Sequence, residues 1–123
     1  TWIFGNVKEN IIHVLKPDKA AGYLELEKAH VRWYLSLDSN DLPEEAKASG
    51  KRTYRSIVMD KNEIEFSEGF TDLHTKSYEE ILKGNGFGLK EAQSSIQIVY
   101  QIRNSIPVGL KGDYHHLCKK ALS

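Results

Sequence analysis

The strongest constraint on the fold is a strict alternation of apolar and polar residues over residues 30–38. The apolar residues of one face are Val31, Trp33, Leu35 and Leu37, and the polar residues of the other are His30, Arg32, Tyr34, Ser36 and Asp38. A period of two residues is typical of a β-strand whose sheet has the core on one side only. We therefore expect the Val31 face to meet the core and the Arg32 face to be polar.

Further strands are predicted in the first two thirds of the sequence. Apolar runs and alternating patterns indicate strands over residues 7–16, 20–27 and 52–59, and then a short strand that holds Ile64 and Phe66. A turn is expected at residues 60–62, between the last two strands. Residues 39–50 are polar and rich in turn-forming residues, which predicts an exposed loop with at most one helical turn.

The hydrophobic period becomes helical after residue 70. Thr71 or Asp72 is expected to cap a first helix that ends at Gly84, and a second helix is expected over residues 89–104. The tail, residues 106–123, is broken by glycine and proline and is expected to form an arm that lies on another surface. Strands followed by helices predict one α+β domain over residues 1–123. We expect an open, mostly antiparallel β-sheet with two C-terminal helices packed on one face.

Composition limits the partners and the compartment. The 17 basic and 17 acidic residues balance, whereas a nucleic-acid-binding domain is expected to have a basic excess. No apolar run approaches the length of a transmembrane helix, so no membrane partner is expected. Cys118 is the only cysteine, which excludes an internal disulfide and favours a reducing, cytoplasmic location. The sequence has no initiating Met and is expected to be a piece of a longer protein.

Two motifs suggest cofactors but are better explained otherwise. Residues 84–88, Gly-Asn-Gly-Phe-Gly, resemble a phosphate loop, but such a loop follows a strand, and here a helix precedes it. A helix end followed by a tight turn is the favoured interpretation. His115, His116 and Cys118 are types of metal ligand, yet no second ligand group stands at a zinc-site spacing elsewhere. We expect a solvated tail there and no metal.

Two groups of polar residues leave alternatives open. Asp72 and His74 at a helix N-terminus are typical of an anion site or a general acid, but equally of a helix cap beside an exposed histidine. Arg32, Arg52 and Arg55 on strands suit a carboxylate or phosphate, and equally a solvated sheet face or a wet subunit interface. The residues alone therefore indicate an α+β domain without a self-contained active site.

Several stretches resemble the C-terminal domain of the Gfo/Idh/MocA oxidoreductases. The most specific is residues 66–75, Phe-Ser-Glu-Gly-Phe-Thr-Asp-Leu-His-Thr. The others are residues 20–25, 31–36, 64–65, 77–82, 84–88, 91–103 and 107–110. Within the family the sequence is most similar to the UDP-N-acetyl-2-amino-2-deoxyglucuronate dehydrogenases, which oxidise C3 of a nucleotide sugar for surface polysaccharide synthesis.

The resemblance implies an NAD-dependent parent enzyme. The family has an N-terminal Rossmann domain that binds NAD, a Glu-Lys-Pro segment whose Lys lies beside the reacting carbon, and an Asp or His on the helix that opens the C-terminal domain. None of these is present in this sequence, and residues 2–5 resemble the stretch just after the family His. We therefore expect this chain to be inactive alone, with no catalytic residue and no cofactor of its own, and NAD to bind the full-length parent.

The resemblance also implies a substrate segment and an assembly surface. The resemblance places the segment between the last strand and the first helix at the mouth of the cleft that binds a UDP-sugar. The candidate substrate-binding residues are Phe66, Ser67, Gly69, Phe70, Thr71, Asp72 and His74. Alternatively Asp72 only caps the helix, and Phe66 and Phe70 only fill the core. A homo-oligomer through the polar sheet face is expected, and a non-catalytic α+β binding or dimerisation module is the alternative function.

Overall fold

A computed structural model describes residues 1–69 and 71–123. The strands are β1 (Val7–Leu15), β2 (Lys19–Leu26), β3 (His30–Ser36), β4 (Ser56–Met59) and β5 (Asn62–Glu65). The helices are α1 (Glu44–Ala48), α2 (Leu73–Leu82), α3 (Leu89–Asn104) and α4 (Cys118–Leu122). The predicted α+β class with open antiparallel β-structure is confirmed, although the described strands form two sheets rather than one.

The chain divides into two compact units. The sheet unit comprises Thr1–Leu37 and Phe87–Ser123, and the hairpin unit comprises Asp38–Gly86. The strands accordingly form two sheets, a three-stranded antiparallel sheet of order β1-β2-β3 and a two-stranded antiparallel sheet of β4 and β5.

The core of the sheet unit lies on the Tyr34 face of β3. Tyr34 is opposite Ala21 in the ladder, and it packs with Tyr114 against a buried cluster. The members of that cluster are Val14, Ala21, Cys118 and Ala121. The predicted core residues Leu35 and Leu37 are instead 66% and 87% exposed, so their assignment to the core is wrong. On that face Val31 and Trp33 are half-buried, whereas the cluster under the tail lies on the Tyr34 face, which the alternation alone does not predict.

Helix α3 covers the opposite face of the same sheet. Asn10, which is opposite Leu24, donates from Nδ2 to Gln101 Oε1 at 3.2 Å. The hydroxyls of Thr1 and Ser94 are 2.9 Å apart in the same region. The prediction of a helix packed on the sheet is thus correct for α3, and its bounds of 89–104 match the predicted range.

The hairpin unit begins with a 3₁₀ turn at Ser39–Asp41 and then α1, as the predicted loop with a helical turn allows. Met59 pairs with Asn62, so β4 and β5 are joined by the two residues Asp60 and Lys61. Their φ angles are +50° and +67°, which is the geometry of a type I′ turn. Residues 60–62 thus form the expected turn.

Helix α2 ends at the predicted glycine. Gly84 has φ +82°, and its N–H donates to the Ile81 carbonyl at 3.0 Å. The Asn85 N–H donates to the Glu80 carbonyl at 2.8 Å, which completes a Schellman motif. Within the described ranges, the longest helix is α3 with 16 residues, and none combines the length and apolarity needed to cross a bilayer.

Candidate functional site

The candidate segment, residues 66–74, leaves β5 through a tight turn. The Gly69 N–H donates to the Phe66 carbonyl at 3.1 Å, and Gly69 has φ +74°. A residue with a side chain is strained in that region of backbone space, so glycine is the suitable residue here. This is the sharp turn that the sequence predicts at Gly69. Phe70, a predicted contact residue, lies outside the described residues.

Ser67 and Phe66 hydrogen-bond the start of the segment to Arg55, the residue before β4. Its Oγ accepts a hydrogen bond from the Arg55 N–H at 2.9 Å, and the Phe66 N–H donates to the Arg55 carbonyl at 2.9 Å. Phe66 and Ser67 are both half-buried. The Ser67 hydroxyl therefore has a structural partner, which makes it a positioning group for the residues that follow.

The N-terminus of α2 departs from the predicted cap chemistry. Asp72 occupies the N-cap position, as the sequence predicts, and the Lys76 N–H donates to its carbonyl at 3.0 Å. Its φ is +58°, however, and its carboxylate accepts no capping hydrogen bond from the described residues. The left-handed backbone turns the side chain away from the first-turn N–H groups. Asp72 is thus exposed, and its carboxylate is available to another group.

Thr71, Asp72 and His74 form one exposed polar cluster at the start of α2. No described residue of this helix is buried. Together the three side chains offer a hydroxyl, a carboxylate acceptor and an imidazole, beside the positive end of a helix of ten residues. Such a set can accept hydrogen bonds from sugar hydroxyls and donate them to phosphate oxygens.

Charged residues that the sequence analysis did not single out surround the base of the segment. Lys51 Nζ is 3.0 Å from Glu65 Oε1, and the Tyr54 hydroxyl donates to Glu63 at 2.5 Å. The hydrogen bond from Ser67 and the ammonium of Lys51 lower the pKa of Glu65, whose carboxylate in turn raises the pKa of Lys51. The β4–β5 register pairs Glu63 with Val58 and Glu65 with Ser56, so it does not by itself predict these bonds to Tyr54 and Lys51.

Tyr54 and Glu63 shift one another in the same way. The hydrogen bond from Tyr54 lowers the pKa of Glu63, and the same bond raises the pKa of Tyr54. Both carboxylates at the base of the segment are therefore held in the ionised form by neighbouring donors.

The glycine-rich loop of residues 84–88 connects two helices. Gly84 ends α2, and the Gly88 N–H donates to the Glu91 carboxylate at 3.0 Å at the start of α3. A dinucleotide-binding crevice needs a strand, a glycine loop and a helix within a parallel sheet. Over residues 1–69 and 71–123 both sheets are antiparallel, so these residues do not fit NAD in that manner.

Cys118 and His115 of the tail pack on the sheet, so the prediction that they are solvated is wrong, whereas His116 is exposed as expected. Cys118 is fully buried, and burial raises the pKa of its thiol. The His115 ring stacks on Tyr34 with centroids 5.7 Å apart and on His116 at 4.5 Å. No three histidine, cysteine or acidic side chains in the described part of the chain are arranged to hold a metal ion.

Comparison with known proteins identifies two similar solved structures. The sequence matches no protein-family model. Both structures are of the WlbA (WbpB) dehydrogenase from Thermus thermophilus. In its complex with NAD and alpha-ketoglutarate, that protein is 47% identical to this chain, with a TM-score of 0.86. In its complex with NAD and UDP-GlcNAcA, the identity is 45% and the TM-score 0.86.

The similarity extends over most of this chain but a minor part of the neighbour. Each match covers 94% of this chain and 37% of the WlbA chain. The predicted resemblance to a domain of an NAD-dependent dehydrogenase is confirmed by this identity and coverage.

Proposed function

Because this chain is a homologue of part of the WlbA (WbpB) dehydrogenase, we propose that it is the C-terminal substrate-binding and oligomerisation domain of an NAD-dependent nucleotide-sugar dehydrogenase. The full-length enzyme would be cytoplasmic and would oxidise C3 of a UDP-N-acetylhexosaminuronate for lipopolysaccharide or other surface polysaccharide synthesis. The observation that carries this proposal is 45% identity over 94% of the chain to a protein solved with NAD and UDP-GlcNAcA.

In this proposal NAD binds the part of the parent enzyme that this chain does not contain. The antiparallel sheets and the helix–loop–helix setting of residues 84–88 support that division, because neither provides a dinucleotide crevice. We expect no measurable NADH binding and no dehydrogenase activity in the isolated chain. Calorimetric titration tests this expectation, and micromolar affinity for NADH would contradict it.

The substrate contact is proposed at residues 66–74. Gly69 turns the chain, and Thr71, Asp72 and His74 present exposed polar groups beyond the turn. A UDP-sugar has hydroxyl donors that a carboxylate binds and phosphate oxygens that an imidazole or a hydroxyl binds. Phe66 and Ser67 are half-buried and bonded to Arg55, so their proposed role is to position the turn.

The test replaces His74 with Ala in the full-length enzyme that contains this chain. We expect the KM for the nucleotide sugar to rise about tenfold, the effect of losing one hydrogen bond to a charged group. NAD affinity and melting temperature should stay unchanged because His74 is exposed. The matched control is His116→Ala, an exposed histidine of the sheet unit. An unchanged KM together with a lower melting temperature would assign the segment a structural role instead.

We also propose that the chain forms a homo-oligomer through a sheet face. The predicted surface around Arg32 and Tyr34 is partly occupied by the tail of the same chain. A different apolar surface is exposed on β4 and β5, where Ile57 lies opposite Ile64 and shares its face with Met59. These three side chains are 55–57% exposed, and exposed apolar patches on sheets mark interaction surfaces.

Light scattering on matched variants tests the assembly. Ile57→Lys puts a charge on the apolar face and should dissociate the oligomer. Val58→Lys puts the same charge on the other face, opposite Glu63, and should leave the oligomer intact. A monomer at high concentration in the unaltered full-length enzyme would contradict the proposal.

A further inference from the structure

The tail crosses the sheet unit and is attached at several points. The Val108 N–H donates to the Ile12 carbonyl at 2.9 Å along the free edge of β1. Further on, both oxygens of the Asp113 carboxylate accept from the Arg32 guanidinium, with Nη2 2.8 Å from Oδ2. The last attachment is α4, whose Cys118 belongs to the buried cluster. Residues 108–122 thus form a strap across the Tyr34 face.

A β-bulge in β1 directs a histidine into this strap. Ile12 is opposite Gly22 and Val14 is opposite Ala21, so His13 is an extra residue without a partner in the ladder. Bulges of this kind re-aim a side chain. His13 is fully buried, with 0% exposure.

The His13 ring lies between two backbone carbonyls of the tail. Its Nδ1 is 2.8 Å from the Gly109 oxygen, and its Nε2 is 2.9 Å from the Asp113 oxygen. A carbonyl oxygen only accepts hydrogen bonds, and a neutral imidazole has one donor and one acceptor nitrogen. A neutral ring would therefore direct a lone pair at one of the two oxygens. A doubly protonated ring donates to both.

A nearby carboxylate offsets the cost of a buried positive charge on the His13 ring. The Asp113 carboxylate is nearby, and the hydrogen bond from Arg32, with smaller effects of the charges on Arg32, His30 and His13, lowers its pKa. A buried charge is tolerated when it is hydrogen-bonded and paired. The other titratable groups around the contact are Tyr23 on β2, Tyr114 and His115 in the tail, and Cys118 on α4.

We propose that His13 is doubly protonated in the folded chain and that its second proton fastens the tail to the sheet. Loss of that proton removes one of the two ring donors, so residues 109–113 lose one attachment and the strap loosens. The chain then contains a pH-sensitive strap whose state depends on one buried histidine. This inference does not depend on the proposed function, since it concerns contacts within the sheet unit alone.

The sign of the pH effect separates His13 from Asp113 and His115. The His13 contact is complete only while both ring nitrogens carry a proton, so loss of one proton weakens it. Asp113 acts oppositely, because its lowered pKa means that the ion pair with Arg32 is lost as pH falls. Burial, followed by the charges of His116 and Arg32, lowers the pKa of His115, so its contribution is also lost on the acid side. Burial raises the pKa of Cys118 and of Tyr23, so their contributions also weaken toward alkaline pH, and the ring NMR and the His13→Gln variant are needed to identify His13 as the cause.

The decisive experiment measures the ring and the strap on the same chain. Nitrogen NMR of the His13 ring should show two protonated nitrogens at about pH 5.5, and amide hydrogen exchange at Val108 and Cys118 should be slow there. From about pH 5.5 to about pH 8.5, the protection of these amides should fall about tenfold or more once intrinsic exchange is corrected for.

Matched variants complete the test. His13→Gln keeps one donor and cannot titrate, so its amide protection should not change over this pH range, whereas the control His116→Gln should respond like the unaltered chain. A neutral His13 ring at about pH 5.5, or protection that does not change with pH in the unaltered chain, would overturn the proposal. Both of these readouts come from the unaltered chain and decide the question even when His13→Gln does not fold.

Discussion

The sheet unit and the hairpin unit are stabilised in different ways. The sheet unit contains nearly all of the buried apolar side chains of the described residues: Ile12, Val14, Ala21, Tyr23, Leu26, Cys118 and Ala121. The described residues of the hairpin unit have one, Ala46. Its β-structure depends on local contacts such as the Asp60-Lys61 turn and the Lys51–Glu65 ion pair.

This difference indicates where the chain is rigid and where it opens. Segments with few buried apolar contacts open at low free energy, and a two-stranded hairpin is marginally stable by itself. The candidate substrate segment belongs to the hairpin unit. Its geometry therefore depends on hydrogen bonds such as the one from Arg55 to Ser67 rather than on a core.

The largest expected contrast comes from the same substitution in the two units. Val14 is 1% exposed and Val58 is 65% exposed, and both lie in strands. Val14→Ala removes buried methyl groups and should lower the free energy of unfolding by about 2–3 kcal/mol. Val58→Ala should change it by less than about 0.5 kcal/mol. Urea denaturation measures both, and equal losses would mean that the two units share one core.

A smaller effect of opposite sign is expected at the hairpin turn. Lys61 has φ +67°, which costs a residue with a side chain about 1 kcal/mol relative to glycine. Lys61→Gly should therefore stabilise the hairpin by about 0.5–1 kcal/mol. Asp60→Gly is the control and should gain less, because Asp tolerates this conformation better. Amide exchange in β4 and β5 reports the change, and faster exchange in Lys61→Gly would exclude this explanation.

The smallest effect is an acid response confined to the hairpin unit. The pKa values of Glu63 and Glu65 are lowered, by hydrogen bonds chiefly from Tyr54 and Ser67. Their contribution is therefore present above the ordinary titration range of Glu and is lost as pH falls through the lowered values. NMR of the carboxyl groups should show both shifts. Tyr54→Phe should return the Glu63 value toward its ordinary range and affect Glu65 much less.

Local patterns in the sequence were sufficient to predict most elements. The helix over residues 89–104, the turn at Asp60 and Lys61, and the end of α2 at Gly84 all follow from periodicity and turn chemistry within a few residues. Fold class followed from the order of these elements. Gly69 was singled out only through the family resemblance, and its positive φ shows that the chain does turn there.

The errors concern contacts between distant residues. Alternation in β3 shows that its two faces differ, but it does not show which face the tail covers, and the tail covers the face of Tyr34. Likewise, Asp72 has the right chemistry for a cap, yet its left-handed backbone prevents the bond. The partners of Glu63 and Glu65 are Tyr54 and Lys51, which lie before β4 and are not the residues that the hairpin register pairs with them.

The bulge at His13 also determines which length changes β1 can accept. Because the side chains of a strand alternate, deleting a residue from the regular part of β1 would exchange its two faces and turn Ile11 and Asn10 to the wrong sides. Deleting His13 itself would leave a regular ladder with Ile12 and Val14 still opposite Gly22 and Ala21. A homologue that lacks this one residue would therefore keep the sheet but leave the Gly109 and Asp113 carbonyls without this ring.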